Sequence, residues 1–234
     1  MRSTTKQLTA LIWFMSLLCI TQSVCAETYV YQFDNDEYTA YHDVRIQANY
    51  VNYSGGLNLR VQNPTNISGL LLFKNIDVPA GFYSVELQLI ASEVVTAGTV
   101  IVEILKKTSW TDPHVVANPP GTDSTYPTWN YENYSSMAWG APGASGAADR
   151  GGLVGTHYIT NASQIYSFNG TIETKEDQDS IAFIITAIDA LINLYCSDSC
   201  GESYQLTPKL ILRSRYQRGG LDVNTMTNQQ RILR

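Results

Sequence analysis

The chain has 234 residues, of which 44% are hydrophobic and 15% are charged, and its formal net charge is −6. A chain of this length, less a short targeting segment, suits a single domain. The acidic balance, without a basic patch in the body of the chain, disfavours nucleic-acid binding.

Residues 1–26 have the organisation of a signal peptide. Arg2 and Lys6 precede an apolar run from Leu8 to Ile20, and Val24-Cys25-Ala26 supplies the small residues of a cleavage site. The run is shorter than the roughly 20 residues that span a bilayer, and no later stretch is long and apolar enough to do so. We expect cleavage after Ala26, and loss of the two basic residues moves the net charge from −6 to −8. The prediction is a secreted, extracellular or cell-surface protein without a membrane span.

Short runs rich in β-branched and aromatic residues recur between turn signals through residues 27–215. In several runs apolar and polar residues alternate, so that Val85, Leu87 and Leu89 are predicted to face one way and Glu86 and Gln88 the other. We therefore predict an all-β domain over residues 27–215, an antiparallel two-sheet sandwich that is jelly-roll-like. The predicted strands are Thr28–Phe33, Asp43–Ala48, Leu57–Val61, Leu70–Phe73, Ser84–Ala91, Thr99–Lys106, Ser180–Ile188, Leu191–Tyr195 and Lys209–Arg213.

The segment from Thr125 to Gly143 concentrates large aromatic residues among proline, glycine, asparagine and serine. Its turn formers exclude a helix, and aromatic faces on a loop can stack on the apolar faces of a sugar ring. The alternative is that the rings cover the end of a hydrophobic core beneath a long loop. The candidate carbohydrate-binding residues are Tyr126, Trp129, Tyr131, Tyr134 and Trp139.

The loop between Thr108 and Thr156 is long for a compact domain. Loops of that size are functional, disordered, or contain an unrecognised strand. We expect a short strand within Tyr126–Tyr131 or Gly152–Tyr158, and mobile surface for Gly140–Gly152.

Two further patterns concern cross-links and metals. Cys196 and Cys200 remain after signal-peptide removal, and their spacing in an exported chain predicts a short disulfide that closes a turn. Asp34-Asn-Asp-Glu37 could supply oxygen ligands for Ca²⁺. Because it lacks the EF-hand pattern, an acidic turn between strands is favoured over a calcium site, and no other cofactor is predicted.

Five Asn-X-Ser/Thr sequons mark candidate N-glycosylation sites, which would have to face solvent if used. A glycan on the one inside the aromatic segment would obstruct a binding face there. The acceptor residues are Asn52, Asn66, Asn133, Asn161 and Asn169.

Residues 216–234 form a polar, basic tail. Arg218, Arg231 and Arg234 are accompanied there by a single acidic residue, Asp222. A solvated end is the first interpretation. Contact with the domain, with a neighbouring copy or with an anionic polymer is the second.

Several segments occur in a recognisable order: Asp43-Val-Arg-Ile46, Asn49–Val61, Leu70–Gly81, Ser84–Leu89, Trp110, Thr128-Trp-Asn130, Trp139-Gly-Ala-Pro-Gly143 and Pro208–Leu212. The set spans about residues 40 to 215 and resembles the DNRLRE-type secreted β-sandwich domain, similar to the carbohydrate-binding modules of family ninety-six. The resemblance implies a jelly-roll-like sandwich in surface and secreted proteins, of which some bind acidic polysaccharides. The chain departs from the family at Phe73-Lys74, where a basic residue and Phe-Asp are usual.

No catalytic constellation is apparent, and we predict that the protein is not an enzyme. His42, His114 and His157 are scattered, and no nucleophile-elbow, phosphate-loop or dinucleotide motif is present. One predicted function is carbohydrate binding or cell-surface and matrix recognition, with an extracellular glycan or polysaccharide as partner. Because the chain is acidic, a neutral glycan, or no glycan, is favoured over an acidic one. The alternative is a structural subunit of a filament or matrix, in which Glu27–Asp36 or Tyr216–Arg234 adds a strand to the next copy.

Overall fold

The computed structural model of the protein describes residues 26–33, 40–48, 50–54, 59–63, 66–110, 127–133, 137–175, 178–196 and 204–214, with the backbone alone for 50–54, 133 and 204. The strands described below belong to one compact unit that spans Thr28–Arg215. Residues 1–25 and 215–234 lie outside the described residues. The signal peptide and the basic tail therefore stay predictions.

The described residues form β-strands and two short 3-10 turns (Pro142–Ala144 and Tyr204–Leu206), with no α-helix among them. None of these ranges contains a helix with the length and hydrophobicity that crossing a membrane requires. In chain order the strands are β1 (Thr28–Gln32), β2 (Tyr41–Gln47), β3 (Tyr50–Ser54), β4 (Leu59–Gln62), β5 (Ile67–Lys74), β6 (Gly81–Thr96), β7 (Gly98–Leu105), β8 (Tyr131–Asn133), β9 (Met137–Ala138), β10 (Arg150–Ile159), β11 (Ile165–Thr174), β12 (Ser180–Ile188), β13 (Leu191–Leu194) and β14 (Lys209–Ser214).

Strand β6 joins the two layers of a sandwich. Its first part, up to Ile90, pairs with β11 and β14, and β1 pairs with β14, so the first sheet has the order β1-β14-β6-β11. Its last part, from Ala91 to Thr96, pairs with β13, which continues through β4 into the second sheet. That sheet contains β10, β7, β12, β5, β2 and β3 in order. All these pairings are antiparallel, and the predicted all-β two-sheet sandwich is confirmed.

The main core lies between the two sheets. Alternation along β6 buries Val85, Leu87 and Leu89, as predicted, because successive side chains of a strand point to opposite faces. From the second sheet, the rings of Phe73 and Phe183 meet edge to face with their centroids 6.1 Å apart. Full burial of a side chain of this size stabilises the fold by about 1.5–3 kcal/mol.

Strands β5 and β12 are buried on both faces. No residue of Ile67–Phe73 or of Ile181–Ile185 is exposed. One face of each strand contributes to the main core, and the other face contributes Leu70, Leu72 and Ile184 to a second buried cluster. A strand that is covered on a single face alternates between buried and exposed residues. β5 and β12 do not alternate, so another part of the chain has to cover the outer face of the second sheet.

The sequence pattern did not predict β11. Asn169-Gly170 in its middle is a strong hairpin-turn signal, yet the strand pairs with β6 from end to end without a register shift. Gly170 serves packing instead, because a methyl carbon at that position would lie 2.9 Å from the Val154 backbone of β10. The two layers approach closely there, and Tyr166 and Phe168 are buried beside it.

Glu86 on β6 is expected to make stability depend on pH. It accepts a hydrogen bond from Gln88 (2.7 Å) and pairs with Arg213 (2.8 Å), and these contacts, Gln88 first, hold the pKa of Glu86 below its ordinary value. The folded state therefore favours the carboxylate. Its contribution is present above the unfolded-state pKa and is lost as pH falls through the folded-state pKa.

We expect Glu86→Gln to lower the free energy of unfolding near neutral pH by less than about 1 kcal/mol, since Arg213 is largely exposed. Urea unfolding of both proteins at pH 7 and below about pH 4 measures this. The difference should shrink in acid, and an equal or larger difference in acid would contradict the assignment.

Candidate functional site

Residues 127–133 and 137–149, called here the covering loop, lie over the outer face of the second sheet. Trp139 and Ala144 belong to the same buried cluster as Leu70 and Ile184, and Trp129 packs against that cluster. β8 and β9 form a small antiparallel pair inside the loop. The expectation of mobile surface over Gly140–Gly152 is wrong at Gly143, Ala144 and Asp149, which are buried. Their burial follows from the apolar face beneath them.

Asp149 holds the second half of the covering loop together. Its side chain is fully buried, and its carboxylate accepts hydrogen bonds from the backbone N–H groups of Gly140 (2.8 Å), Ala141 (3.2 Å) and Gly146 (3.1 Å). A charged acceptor with three donors forms strong hydrogen bonds and satisfies backbone groups that the turn would otherwise leave unpaired.

Glu132 anchors the first half of the covering loop in a similar way. It is 2% exposed, accepts hydrogen bonds from the backbone N–H (3.3 Å) and hydroxyl (2.5 Å) of Ser109, and pairs with Lys107 (3.3 Å). Both contacts join the loop to the chain just after β7. One buried carboxylate, Glu132, therefore ties the loop to the rest of the domain, whereas the other, Asp149, fixes the loop's internal turn.

The five predicted aromatic residues have different environments. Trp139 is 5% exposed, and its indole N–H donates to the Thr128 carbonyl (2.8 Å). The ring therefore packs inside the protein, as expected if the segment covers a hydrophobic core. Trp129 and Tyr131 are half-buried. Tyr126 and Tyr134 lie outside the described residues. Among the candidate rings that the structure describes, Trp129 lines a cleft.

A cleft of about 290 Å³ separates the covering loop from the sheet at the ends of β4, β5 and β12. The loop side is contributed by Trp129 and the short 3-10 turn, and the sheet side by polar residues of three strands and the turn after β4. Its lining residues are Gln62, Asn63, Asn66, Ile67, Ser68, Trp129, Pro142, Gly143, Ser145, Arg150, Thr186 and Ala187.

The cleft combines one aromatic ring with neutral hydrogen-bonding groups. Amides and hydroxyls of this kind both donate and accept hydrogen bonds. Arg150 is the one cation in the lining, and it is engaged, because its guanidinium contacts Glu103 (2.6 Å) and the Ala144 carbonyl (2.8 Å). The sequence offered no signal for the strand residues of this lining, since strand pairing alone brings them to Trp129.

The position of Trp129 depends on Gly143. The Gly143 N–H donates to the Trp129 carbonyl, its φ is +73°, and a methyl carbon there would lie 2.5 Å from Cη2 of the indole. Glycine adopts this left-handed conformation without the cost that a Cβ adds. The ring therefore lies directly against the glycine backbone.

We expect Gly143→Ala to destabilise the protein by about 2–4 kcal/mol, through the left-handed backbone and the displaced indole. Gly152→Ala is the matched control, because its added methyl meets nothing within 4 Å, and it should change stability by less than about 0.5 kcal/mol. Urea midpoints measure both. Equal effects of the two substitutions would show that Trp129 does not rest on Gly143.

A larger cavity of about 550 Å³ lies at the ends of β7, β11 and β12. Its polar lining is charged with both signs, including Lys106, Lys175, Glu173 and Asp179, and it has no aromatic residue. We favour the cleft beside Trp129 as the ligand site, although it is the smaller of the two. An aromatic ring and several neutral hydrogen-bonding groups line it.

The remaining predicted sites have the following positions. Cys196 is buried, and Cys200 lies outside the described residues, so the disulfide stays a prediction. The acidic segment Asp34–Glu37 also lies outside them, and the calcium hypothesis is untested. Among the residues that are described, no three His, Cys, Asp or Glu side chains are grouped as metal ligands would be.

Three of the five sequon acceptors are exposed, namely Asn66, Asn161 and Asn169. Exposure is what modification requires. The side chains of Asn52 and Asn133 lie outside the described part of the structure, although both residues belong to strands. Asn66 also lines the cleft beside Trp129.

The comparisons with known proteins do not identify a family. No model of a known protein family matches the sequence, and no curated protein matches it, so the resemblance to DNRLRE-type domains stays a prediction. Among solved structures, the K1 cleaved adhesin domain of Lys-gingipain from Porphyromonas gingivalis W83 is similar over 81% of this chain and 99% of its own, with 8% identity and a TM-score of 0.31. The K2 cleaved adhesin domain of Lys-gingipain is similar over 84% of this chain and 95% of its own, with 13% identity and a TM-score of 0.25. These scores are too low for any conclusion about function.

Proposed function

We propose that the protein is an exported, non-catalytic recognition protein that binds a neutral glycan in the cleft beside Trp129. The observation that supports this most directly is the lining itself. A half-buried indole shares the lining with amide groups from β4 and the turn after it and with the Thr186 hydroxyl of β12. An aromatic face suits the apolar side of a sugar ring, and the polar groups suit its hydroxyls.

The charge around the cleft favours a neutral ligand over an acidic one. The guanidinium of Arg150 is paired with Glu103, and the chain as a whole carries a net charge of −6. An anionic polysaccharide would approach a chain of the same sign, and among the residues that line the cleft the one cation is already paired.

The size of the cleft limits the ligand. Small-molecule sites are usually about 300–1,000 Å³, so a cleft of about 290 Å³ suits a single sugar unit or the end of a chain. A contact of that extent predicts modest affinity.

Trp129→Ala tests the proposal. Loss of the stacking surface should weaken binding of a neutral oligosaccharide about tenfold, which corresponds to about 1.4 kcal/mol. Thr186→Val, on the opposite wall, removes a hydroxyl without changing the volume much and should also weaken binding. Calorimetric titration after a screen of immobilised neutral and acidic glycans is the measurement.

Phe82→Ala is the matched control, because Phe82 is an exposed aromatic residue on the first sheet. It should bind like the parent protein. Unchanged binding by both Trp129→Ala and Thr186→Val would overturn the proposal, and so would a preference for acidic glycans.

The alternative of a filament or matrix subunit stays a prediction. Of the segment Glu27–Asp36 expected to join another copy, residues Thr28–Gln32 form β1 and pair with β14 of the same chain. Strand exchange would require β1 to leave that position. Size-exclusion chromatography and electron microscopy of the purified protein discriminate, since exchange predicts polymers.

A further inference from the structure

Asn66 is both the acceptor of a sequon and part of the cleft wall. It is exposed and lines the cleft with Trp129. Its backbone is held in the turn between β4 and β5, with φ at 50° and its carbonyl accepting a hydrogen bond from the Ala48 N–H (3.1 Å). Asparagine tolerates this left-handed conformation better than most residues. The backbone of Asn66 is therefore held in place beside the cleft.

We propose that Asn66 carries an N-linked glycan whose first sugar occupies the Trp129 cleft, so that modification closes the cleft to other glycans. The effect on external ligands rests on the proposed function. Occupation of the cleft by the chain's own sugar relies only on export and on the fit of a sugar to the cleft, and does not require that the protein bind an external glycan.

The modification needs an oligosaccharide activated as a pyrophosphoryl lipid. The amide nitrogen of Asn66 attacks the anomeric carbon, a C–N bond forms, and the C–O bond to the pyrophosphate breaks. The pyrophosphoryl lipid leaves with the bonding electrons, and the amide loses one proton. No oxidant or reductant takes part.

The fold limits when this step can occur. Ser68 supplies the sequon hydroxyl, but it is 5% exposed and opposite Ile46 where β5 pairs with β2. A transferase therefore has to act before these two strands pair. The hydroxyl residues of the sequons at Asn161 and Asn169 are Ser163 and Thr171, which are exposed in the folded protein.

Tethering gives the chain's own sugar an advantage over an external one. A group held by a short linker has an effective concentration in the millimolar range. A cleft for a single sugar unit binds its free ligand weakly, so a tethered sugar would compete well.

The experiment compares the full chain secreted from glycosylating cells with the variants Asn66→Gln and Asn161→Gln. Peptide mass spectrometry reports occupancy at each sequon. Hydroxyl-radical footprinting reports the reactivity of the Trp129 ring without any added ligand. Titration with a neutral oligosaccharide reports access to the cleft.

We expect Asn66 to be occupied and Trp129 to become several-fold more reactive in Asn66→Gln, with external binding about tenfold tighter. Asn161→Gln should change neither readout. Equal Trp129 reactivity in the parent and Asn66→Gln proteins would overturn the inference, as would an unmodified Asn66 in a chain modified at Asn161 and Asn169. If no variant binds any glycan but Trp129 is still protected by the Asn66 glycan, the proposed function fails and this inference stands.

Discussion

Replacing Trp139 with alanine is expected to destabilise the protein by about 3–5 kcal/mol. The indole is 5% exposed and packs in the second buried cluster beside Leu70, Ile184 and Trp110, so its removal leaves a cavity between the covering loop and the sheet. Because small domains are stable by only about 5–15 kcal/mol, much of the fold's stability would be lost. Urea unfolding followed by circular dichroism measures the change.

Trp139→Phe separates packing from hydrogen bonding. It keeps most of the apolar volume but leaves the buried Thr128 carbonyl without its indole donor, which should cost about 1–3 kcal/mol. Leu153→Ala, at a residue that is 60% exposed, should cost less than about 0.5 kcal/mol. A Trp139→Ala protein as stable as Leu153→Ala would mean that the covering loop does not contribute to the fold.

The second large effect is expected at Asp149. Asp149→Ala removes a buried carboxylate that accepts from three backbone N–H groups. Because Gly140 is exposed and Ala141 and Gly146 are half-buried, water replaces part of the loss, and we expect a destabilisation of about 1–3 kcal/mol. Asp149→Asn keeps one acceptor oxygen but turns an NH₂ group toward donors, and its effect should be intermediate. Hydrogen exchange at the Gly140, Ala141 and Gly146 amides measures the local change directly.

Ser145→Ala is the matched control for Asp149, because Ser145 is exposed in the same turn and its hydroxyl donates to the Pro142 carbonyl. It should leave both stability and amide protection nearly unchanged. If Asp149→Ala leaves the three amides as protected as in the parent protein, the turn is held by other contacts and the carboxylate is dispensable.

Together these variants separate the two interpretations of the aromatic segment. A ring that covers a core affects stability when removed, whereas a ring that contacts a ligand affects binding. The burial of Trp139 predicts the first result, and the half-buried position of Trp129 at the cleft predicts the second. Trp139→Ala should therefore show its main effect on stability, whereas Trp129→Ala should weaken binding and, because Trp129 also packs against the buried cluster, lower stability by a smaller amount.

Alternation and turn residues predicted most of the sheet. Each of the nine predicted strands is present, and Ser180–Ile188 matches the structure at both ends. β10 confirms the expected strand within Gly152–Tyr158. β11 was missed because Asn169-Gly170 has the composition of a turn, and its requirement for glycine becomes visible only once β10 packs against it.

The apolar runs of β5 and β12 contained more information than the assignment of two strands used. The unbroken apolar runs of β5 and β12 indicate strands buried on both faces, and therefore a further layer over the second sheet. The long segment rich in tryptophan and tyrosine was the available cover. Together, the two observations would have predicted that some of its rings are buried.

By itself the sequence determined the fold class, the positions of most strands and the concentration of aromatic residues in one loop, because these depend on local periodicity and turn chemistry. Only the tertiary structure decided that Trp139 is buried while Trp129 lines a cleft, and that Asn66 and Thr186 stand beside it. The physical reason is that burial and convergence depend on strand pairing between residues more than a hundred positions apart, such as Thr186 and the turn at Asn66, and no local pattern records which strands meet.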